Sequence, residues 1–225
     1  MTHQSSETHW VSLSDMMTGL MMVFLFISIL FMHQWQKEFV SYQNNKNSLY
    51  KELNNQFKEK YKEWDMILEK DLTIKFTNPE VLFDYRSAEI TPKFSMILSE
   101  FIPQYLAIIT KEKYKDSISE VRIDGHTADW DDYMYTIQLS QERSNSVLKY
   151  ILNSQYFFNI PEGEKNLVKF WMTSNGLGNG RALDETGKYV FETKKQTSAG
   201  SRRVEFRIVT RSEELIDKVI KNNLN

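Results

Sequence analysis

The chain has no cysteine, and only 4 prolines and 8 glycines among its 225 residues. Without cysteine there is no disulfide framework, no thiolate metal site and no cysteine nucleophile, so stability has to come from packing. No alanine occurs before Ala88, and no Lys or Arg before Lys37. A cleavable signal peptide needs a basic start and small residues at a cleavage site. Both are missing, so an apolar N-terminal segment is expected to stay in place as a helix. An excess of one charge is missing too: 28 Lys and Arg against 30 Asp and Glu leave a net −2. No long-range field therefore favours nucleic acid, which is not expected as a partner. At roughly 150 residues per domain the length allows one full domain plus something smaller, and excludes two large ones.

What is present begins with Met16 to Met32, a stretch without charge whose 17 residues make a helix of roughly 25 Å. Extending it back to Val11 adds Ser12, Leu13, Ser14 and Asp15, giving 22 residues and roughly 33 Å, enough to cross a bilayer. Trp10 and Trp35 stand at its two ends as interfacial anchors. A transmembrane helix is thus expected over 11–33, after a short tail over 1–10. Asp15 is the conspicuous residue, because an ionisable group in a spanning helix costs roughly 2.5–3.5 kcal/mol at the centre. Thr18 and Gly19 follow at i+3 and i+4, so the face beside Asp15 is small and polar and suits a helix bundle. A carboxylate there can carry a proton or hold Na⁺. The plainer reading is an interfacial helix cap. Lys37, Lys46 and Lys51 follow the helix, and the positive-inside rule alone would put that side in the cytoplasm.

Gln34 to Lys70 contains neither Pro nor Gly. It carries Trp35, Phe39, Tyr42, Leu49, Leu53, Phe57, Tyr61, Trp64 and Leu68 at helical spacing. A helical connector over 34–70, roughly 55 Å long, could fold against the next domain or form a parallel dimer stalk. From Asp71 short apolar runs alternate with helical patterns. Strands are expected over 71–76, 81–84, 121–125, 169–178 and 203–210. Helices are expected after Pro92, kinked or ended by Pro103, and over 134–152, with a long loop between Gly176 and Gly200. This predicts an α+β domain over 71–211, a mixed β-sheet covered by helices, followed by a helix or tail over 212–225.

An enzyme is not expected. Asp124, Asp129, Asp131 and Asp132 cluster near His126 but lack the spacing of a calcium loop. Catalytic serine, lysine and phosphate-loop motifs are missing, and His3 and His9 are weak candidates for a metal. No metal and no cofactor are expected.

Four motifs in order carry a resemblance: Phe83-Asp84-Tyr85-Arg86-Ser87-Ala88-Glu89-Ile90; Ile123-Asp124-Gly125-His126-Thr127 with Leu139-Ser140-x-x-Arg143; Gly176-Leu177-Gly178; and Arg202-Arg203-Val204-Glu205. Together they resemble OmpA-like peptidoglycan-binding domains over Asp71 to Arg211. The resemblance implies that Arg143 takes the carboxylate of diaminopimelate in the wall's stem peptide. The family's partner aspartate follows its Gly-His-Thr strand. Here Ala128 stands at that place and Asp129 one residue on, while Thr136 replaces the usual asparagine. Either Asp129 takes the role through a one-residue shift or the contact is altered. Tyr135, Thr136, Leu139 and Arg143 would line the groove, with Arg202 beside them.

The N-terminal stretch Trp10-Val11-Ser12-Leu13-Ser14-Asp15-Met16-Met17-Thr18 is similar to the transmembrane helix of flagellar-motor stator B subunits (MotB). The combination with a short connector is similar to the B subunits of Zorya anti-phage defence systems; motility and a purely structural membrane-to-wall tether remain alternatives. The resemblance implies Asp15 as ion carrier with Thr18 beside it, H⁺ or Na⁺ as the ion, and a homodimer inside a ring of MotA-like polytopic subunits, a pentamer. It also implies the bacterial inner membrane, with the N-terminus cytoplasmic and the C-terminal domain periplasmic.

Overall fold

The structure, a computed structural model, describes residues 5–128 and 132–211. Asp129, Asp131, the tail or helix over 212–225 and the start of the 1–10 tail lie outside the described residues. The chain divides into two compact units, one ending at Asn44 and one beginning at Asn45.

In the first unit the backbone is a single element, the early part of helix α1 (Ser5–Phe57). Every residue from Met16 to Met32 is exposed, with nothing packed on its apolar side chains. Among the described residues this is the helix long and apolar enough to cross a membrane. The Thr18 hydroxyl donates to the Ser14 carbonyl at 2.8 Å and Ser28 donates to Phe24 at 2.8 Å. Both polar side chains are thereby satisfied within their own helix, as a low-dielectric surrounding requires.

In the second unit the last turns of α1 bury Leu49, Leu53 and Phe57, one stripe at steps of four. This stretch is therefore an amphipathic helix folded against its domain. The helix ends at Phe57, short of the expected 70. A turn with Asp65 at φ 47° leads instead into an unanticipated strand, β1 (Met66–Leu68). Trp64 and Leu68 keep the apolar rhythm, but they are buried through that turn and strand. The other strands are β2 (Thr73–Phe76), β3 (Ile118–Gly125), β4 (Met172–Gly176) and β5 (Val204–Thr210). They form one mixed sheet in the order β1-β2-β5-β3-β4, with β3 and β4 parallel and the remaining pairs antiparallel.

Two expected elements are replaced. The strand at 81–84 is helix α2 (Pro79–Leu82), because Asn78 accepts from the Glu80 amide at 3.2 Å and Pro79 starts the turn. Pro103 sits inside helix α3 (Pro92–Ile109) without ending it. The buried Phe101, Ile102, Tyr105 and Leu106 on either side hold the helix against a cost of roughly 3 kcal/mol. Short helix α4 (Glu112–Lys115) precedes β3. Helix α5 (Tyr133–Leu152) is capped by Asp132, whose carboxylate accepts from the Met134 and Tyr135 amides. Helices α6 (Gln155–Asn159) and α7 (Glu162–Trp171) follow, so the strand expected from Lys169 begins at Met172. The long loop after Gly176 holds helix α8 (Val190–Thr193) and a 3₁₀ turn at Ala199–Ser201.

Phe101 is the centre of the core. Its ring lies 5.1–5.2 Å from those of Phe57, Phe76, Tyr105 and Phe206, joining α1, α3, β2 and β5. On the sheet's α5 side two glycines set the spacing. Gly125 and Gly176 are partners across β3 and β4. A Cβ on Gly125 would stand 2.2 Å from the Ser140 carbonyl oxygen, and one on Gly176 would stand 2.4 Å from the Gln141 amide nitrogen. Both neighbours are helix backbone, so no rotamer change relieves the clash.

Gly176→Ala is expected to destabilise the domain by about 1–3 kcal/mol through overpacking. Gly163→Ala, in α7 where nothing lies within 4 Å, is expected to stabilise it by about 0.5–1 kcal/mol. Thermal unfolding of the two variants should move in opposite directions. An unchanged midpoint for Gly176→Ala would contradict the close approach.

Candidate functional site

The N-terminal half of α5, the end of β3 and the start of β5 meet at one end of the sheet. Ser140 explains part of the Leu-Ser-x-x-Arg pattern. Its hydroxyl donates to the Ile137 carbonyl at 2.9 Å and accepts from the Gly178 amide at 2.9 Å. Gln141 accepts from the Gly176 amide at 2.8 Å and donates to the Ser174 carbonyl at 3.1 Å. Gly178 has φ 54° and lets its carbonyl accept from the Thr127 amide at 3.0 Å. The glycine turn is thus bonded to both the helix and the His126 loop. Residue spacing alone did not single out Ser140, Gln141 and Asn179 as groups that fix the site.

Arg143 is buried, and two backbone carbonyls hold its guanidinium in place. Nε donates to Ser87 at 2.8 Å, a terminal nitrogen donates to Asp84 at 3.3 Å, and the group lies 5.1 Å from the Phe83 ring centre. It lines a cleft with Phe83, His126, Arg202 and Arg203. The free volume is about 10 Å³, room for about one water-sized atom. Arg203 is committed elsewhere: Nε donates to Glu205 at 2.6 Å and a terminal nitrogen donates to the Ser201 carbonyl at 3.1 Å. Arg143 and Arg202 are the two expected site residues that meet at the cleft. A forked cation held this rigidly is suited to an anionic, planar ligand group such as a carboxylate.

The remaining expected residues fall elsewhere. Tyr135 is not among the residues that line the cleft; its ring lies 5.7 Å from the Arg86 guanidinium, which also lies 5.5 Å from Tyr85. Thr136 is fully buried and donates to the Tyr133 carbonyl at 2.8 Å and to Asn179 at 3.4 Å. Leu139 is buried beneath the same turn. These two shape the site from inside. Asp15 is exposed on α1 in the other unit, and Thr18 bonds back to Ser14.

One residue that lines the cleft, His126, is a buried titratable group. His126 Nε2 stands 3.7 Å from Glu205, a charge contact too long for a hydrogen bond. Neither ring nitrogen has a hydrogen-bond partner among the described residues. Burial pushes His126 below its ordinary value. Burial also pushes the Asp124 carboxyl up, against the hydrogen bond from Asn175 at 3.0 Å. Glu205 goes the other way. Burial opposes its charge, but His126 and the Arg203 guanidinium hold it at about 2, and Lys75 adds a contact at 3.8 Å.

Among the described residues one apolar helix long enough to cross a membrane precedes an α+β domain with a cationic cleft, which defines a class: proteins with an N-terminal apolar helix and an OmpA-like, MotB-type C-terminal domain. No family model matches the chain. It is 38% identical over 230 residues to the Zorya protein ZorB of Escherichia coli, covering 95% of this chain and 92% of that protein. The chain belongs to the ZorB family. Among solved structures it is similar to a MotB-like protein from Desulfovibrio vulgaris, with 19% identity over 77% of this chain and 94% of that one, TM-score 0.48. It is also similar to the periplasmic domain of Helicobacter pylori MotB, with 18% identity over 68% and 93%, TM-score 0.40.

A carboxyl held at about 2 against an ordinary 4.5 contributes stability that is complete above about pH 4.5 and lost as pH falls toward 2. The depressed His126 acts in the same sense below 6.5, and the raised Asp124 in the opposite sense. Glu205→Gln is therefore expected to lose less stability on acidification than wild type, by an order of 3 kcal/mol between pH 5 and 2. Parallel acid limbs in thermal unfolding would refute the assignment.

Proposed function

We propose that this chain is the wall-anchored, stator-type subunit of an ion-driven membrane motor of the Zorya defence class, and not an enzyme. One observation carries the reading: a single chain joins an exposed apolar stretch whose one carboxylate is Asp15 to a domain whose buried Arg143 lines a small cationic cleft. The ZorB relationship over nearly the full length supports it. Two copies present Asp15 inside a ring of polytopic MotA-like subunits, five around the dimer. Thr18 spaces the helix at that level, its hydroxyl already satisfied by Ser14. Each H⁺ or Na⁺ that neutralises and then leaves Asp15 changes the attraction between the dimer and the ring. One charge crossing 100 mV releases about 2.3 kcal/mol, which repeated steps turn into rotation. The helix crosses the inner membrane with its N-terminus in the cytoplasm, and the domain is periplasmic.

There Arg143, with Arg202 beside it, takes the carboxylate of diaminopimelate in the peptidoglycan stem. Asp129 takes its amine, Tyr135 lies toward the ligand on the start of α5, and the buried Thr136 and Leu139 support the groove from beneath. With the dimer fixed to the wall, the ring turns.

Asp15→Asn is expected to leave assembly with the ring partner intact and to abolish protection in a phage plating assay. Protection equal to wild type would reduce the protein to a passive tether. Arg143→Lys keeps the charge but loses the fork, and is expected to weaken co-sedimentation of the full chain with purified sacculi about tenfold or more. Undiminished sedimentation would remove the anchoring role.

A further inference from the structure

Among the described residues that line the arginine cleft, His126 is the one that buries its polar side-chain atoms without a hydrogen-bond partner: the residue is 2% exposed and both ring nitrogens are enclosed. Its backbone is fixed, the amide donating to the Arg203 carbonyl at 3.0 Å. An unpaired buried polar group costs stability, so an imidazole kept this way in the wall of a binding cleft needs a physical reason. Two carboxylates face the ring: Glu205 of β5, 3.7 Å from Nε2, and Asp124 of β3. The cations are Arg203 and Arg202, just before β5, and Arg143 of α5, while α2 turns only apolar side chains to the cleft. Glu205 is held in addition by Arg203 at 2.6 Å and by Lys75 of β2 at 3.8 Å. The ring thus sits between a carboxylate that it does not bond and a cationic space with room for about one water-sized atom.

A proton taken from solvent makes both ring nitrogens donors, one toward Glu205 and one more for the cleft. We infer that His126 is a further affinity-determining residue of the cleft: its protonation adds a positive charge to the wall and strengthens the hold on a carboxylate ligand. The inference rests on the anchoring reading above and gives that site a dependence on pH. Arg143 and Arg202 are charged at every pH and set the basal affinity, whereas an imidazole changes charge in the physiological range. Glu205, held at about 2, stays ionised throughout. Burial keeps His126 below its ordinary 6.5, so the tightening comes as pH falls through the region beneath that value. The same burial makes the charged ring costly to the fold. Affinity therefore rises while stability falls over one pH range, a divergence that a purely structural histidine does not give.

The test is co-sedimentation of the detergent-solubilised full chain with purified sacculi at about pH 7.5 and about pH 5 and constant ionic strength, with thermal unfolding followed in parallel. Wild type is expected to bind about fivefold more tightly at the lower pH while its unfolding midpoint falls. His126→Asn should lose the pH dependence, and Arg143→Lys should weaken binding at both pH values while keeping it. A second readout needs no variant. By linkage, a ligand bound about fivefold more tightly to the protonated form moves the ring's own titration up by about 0.7 pH unit. Labelling the 4 histidines with ¹³C makes that shift visible on wild type, with a diaminopimelate-containing stem tripeptide as the probe. A wild-type affinity that does not change with pH, a His126 titration that the tripeptide does not move, or the same tightening in His126→Asn would overturn the role of His126 and leave anchoring standing; the last result would assign the titration to Asp124, whose carboxyl burial pushes up. Failure of wild type to bind sacculi at either pH would overturn both.

Discussion

Helix α5 reaches the sheet because no side chain stands between Gly125, Gly176 and the Ser140–Gln141 backbone. Any Cβ at those glycines would meet helix backbone at 2.2–2.4 Å. Backbone contact of this kind fixes a helix more tightly than side-chain packing, which can change rotamers. The site inherits that rigidity. Ser140 and Gln141 hold the glycine turn, the turn holds the loop after β3, and Arg143 projects one helical turn further on toward Ser87 and Asp84. Displacing α5 by an ångström would move every one of these groups together.

The charges divide into two jobs that adjacent residues would conceal. Arg203 forms a buried pair with Glu205 and is held by the Ser201 carbonyl, so its charge is spent on stability. Arg202 and Arg143 face the cleft. Removing one member of the Arg203–Glu205 pair would leave the other charge buried behind the binding residues, which is why the low value at Glu205 bears on the site as well as on stability. His126 is buried against Glu205 and lines the same cleft, so the structural pair and the binding residues share one wall.

Much of this was legible from residue order, and the reason is physical. Gly125-His126-Thr127, Leu139-Ser140-x-x-Arg143 and Gly176-Leu177-Gly178 stood out as a resemblance, and their physical content is the close helix approach at Gly125 and Gly176 and the Ser140 bridge to the Gly178 amide. The α+β class and the helical face of α3 were legible because apolar periodicity reports burial. The same signal misled at Tyr61 to Leu68, where a turn and a short strand bury residues at steps that a helix would also give. It also misled at 81–84, where a strand was expected and Asn-Pro capping makes a helix of Pro79–Leu82, and it was silent at Phe191, whose exposure depends on a loop's path. Arg202 was expected beside the groove and lines the cleft; the commitment of Arg203 to Glu205 was not visible in the sequence.

The anchoring claim is tested most directly by tracking single fluorescently tagged full-length molecules in living cells before and after enzymatic removal of the cell wall. If the arginine cleft holds the chain to peptidoglycan, molecules are confined while the wall is intact and diffuse freely in the membrane once it is digested. Equal mobility in both states would contradict a wall-anchored stator.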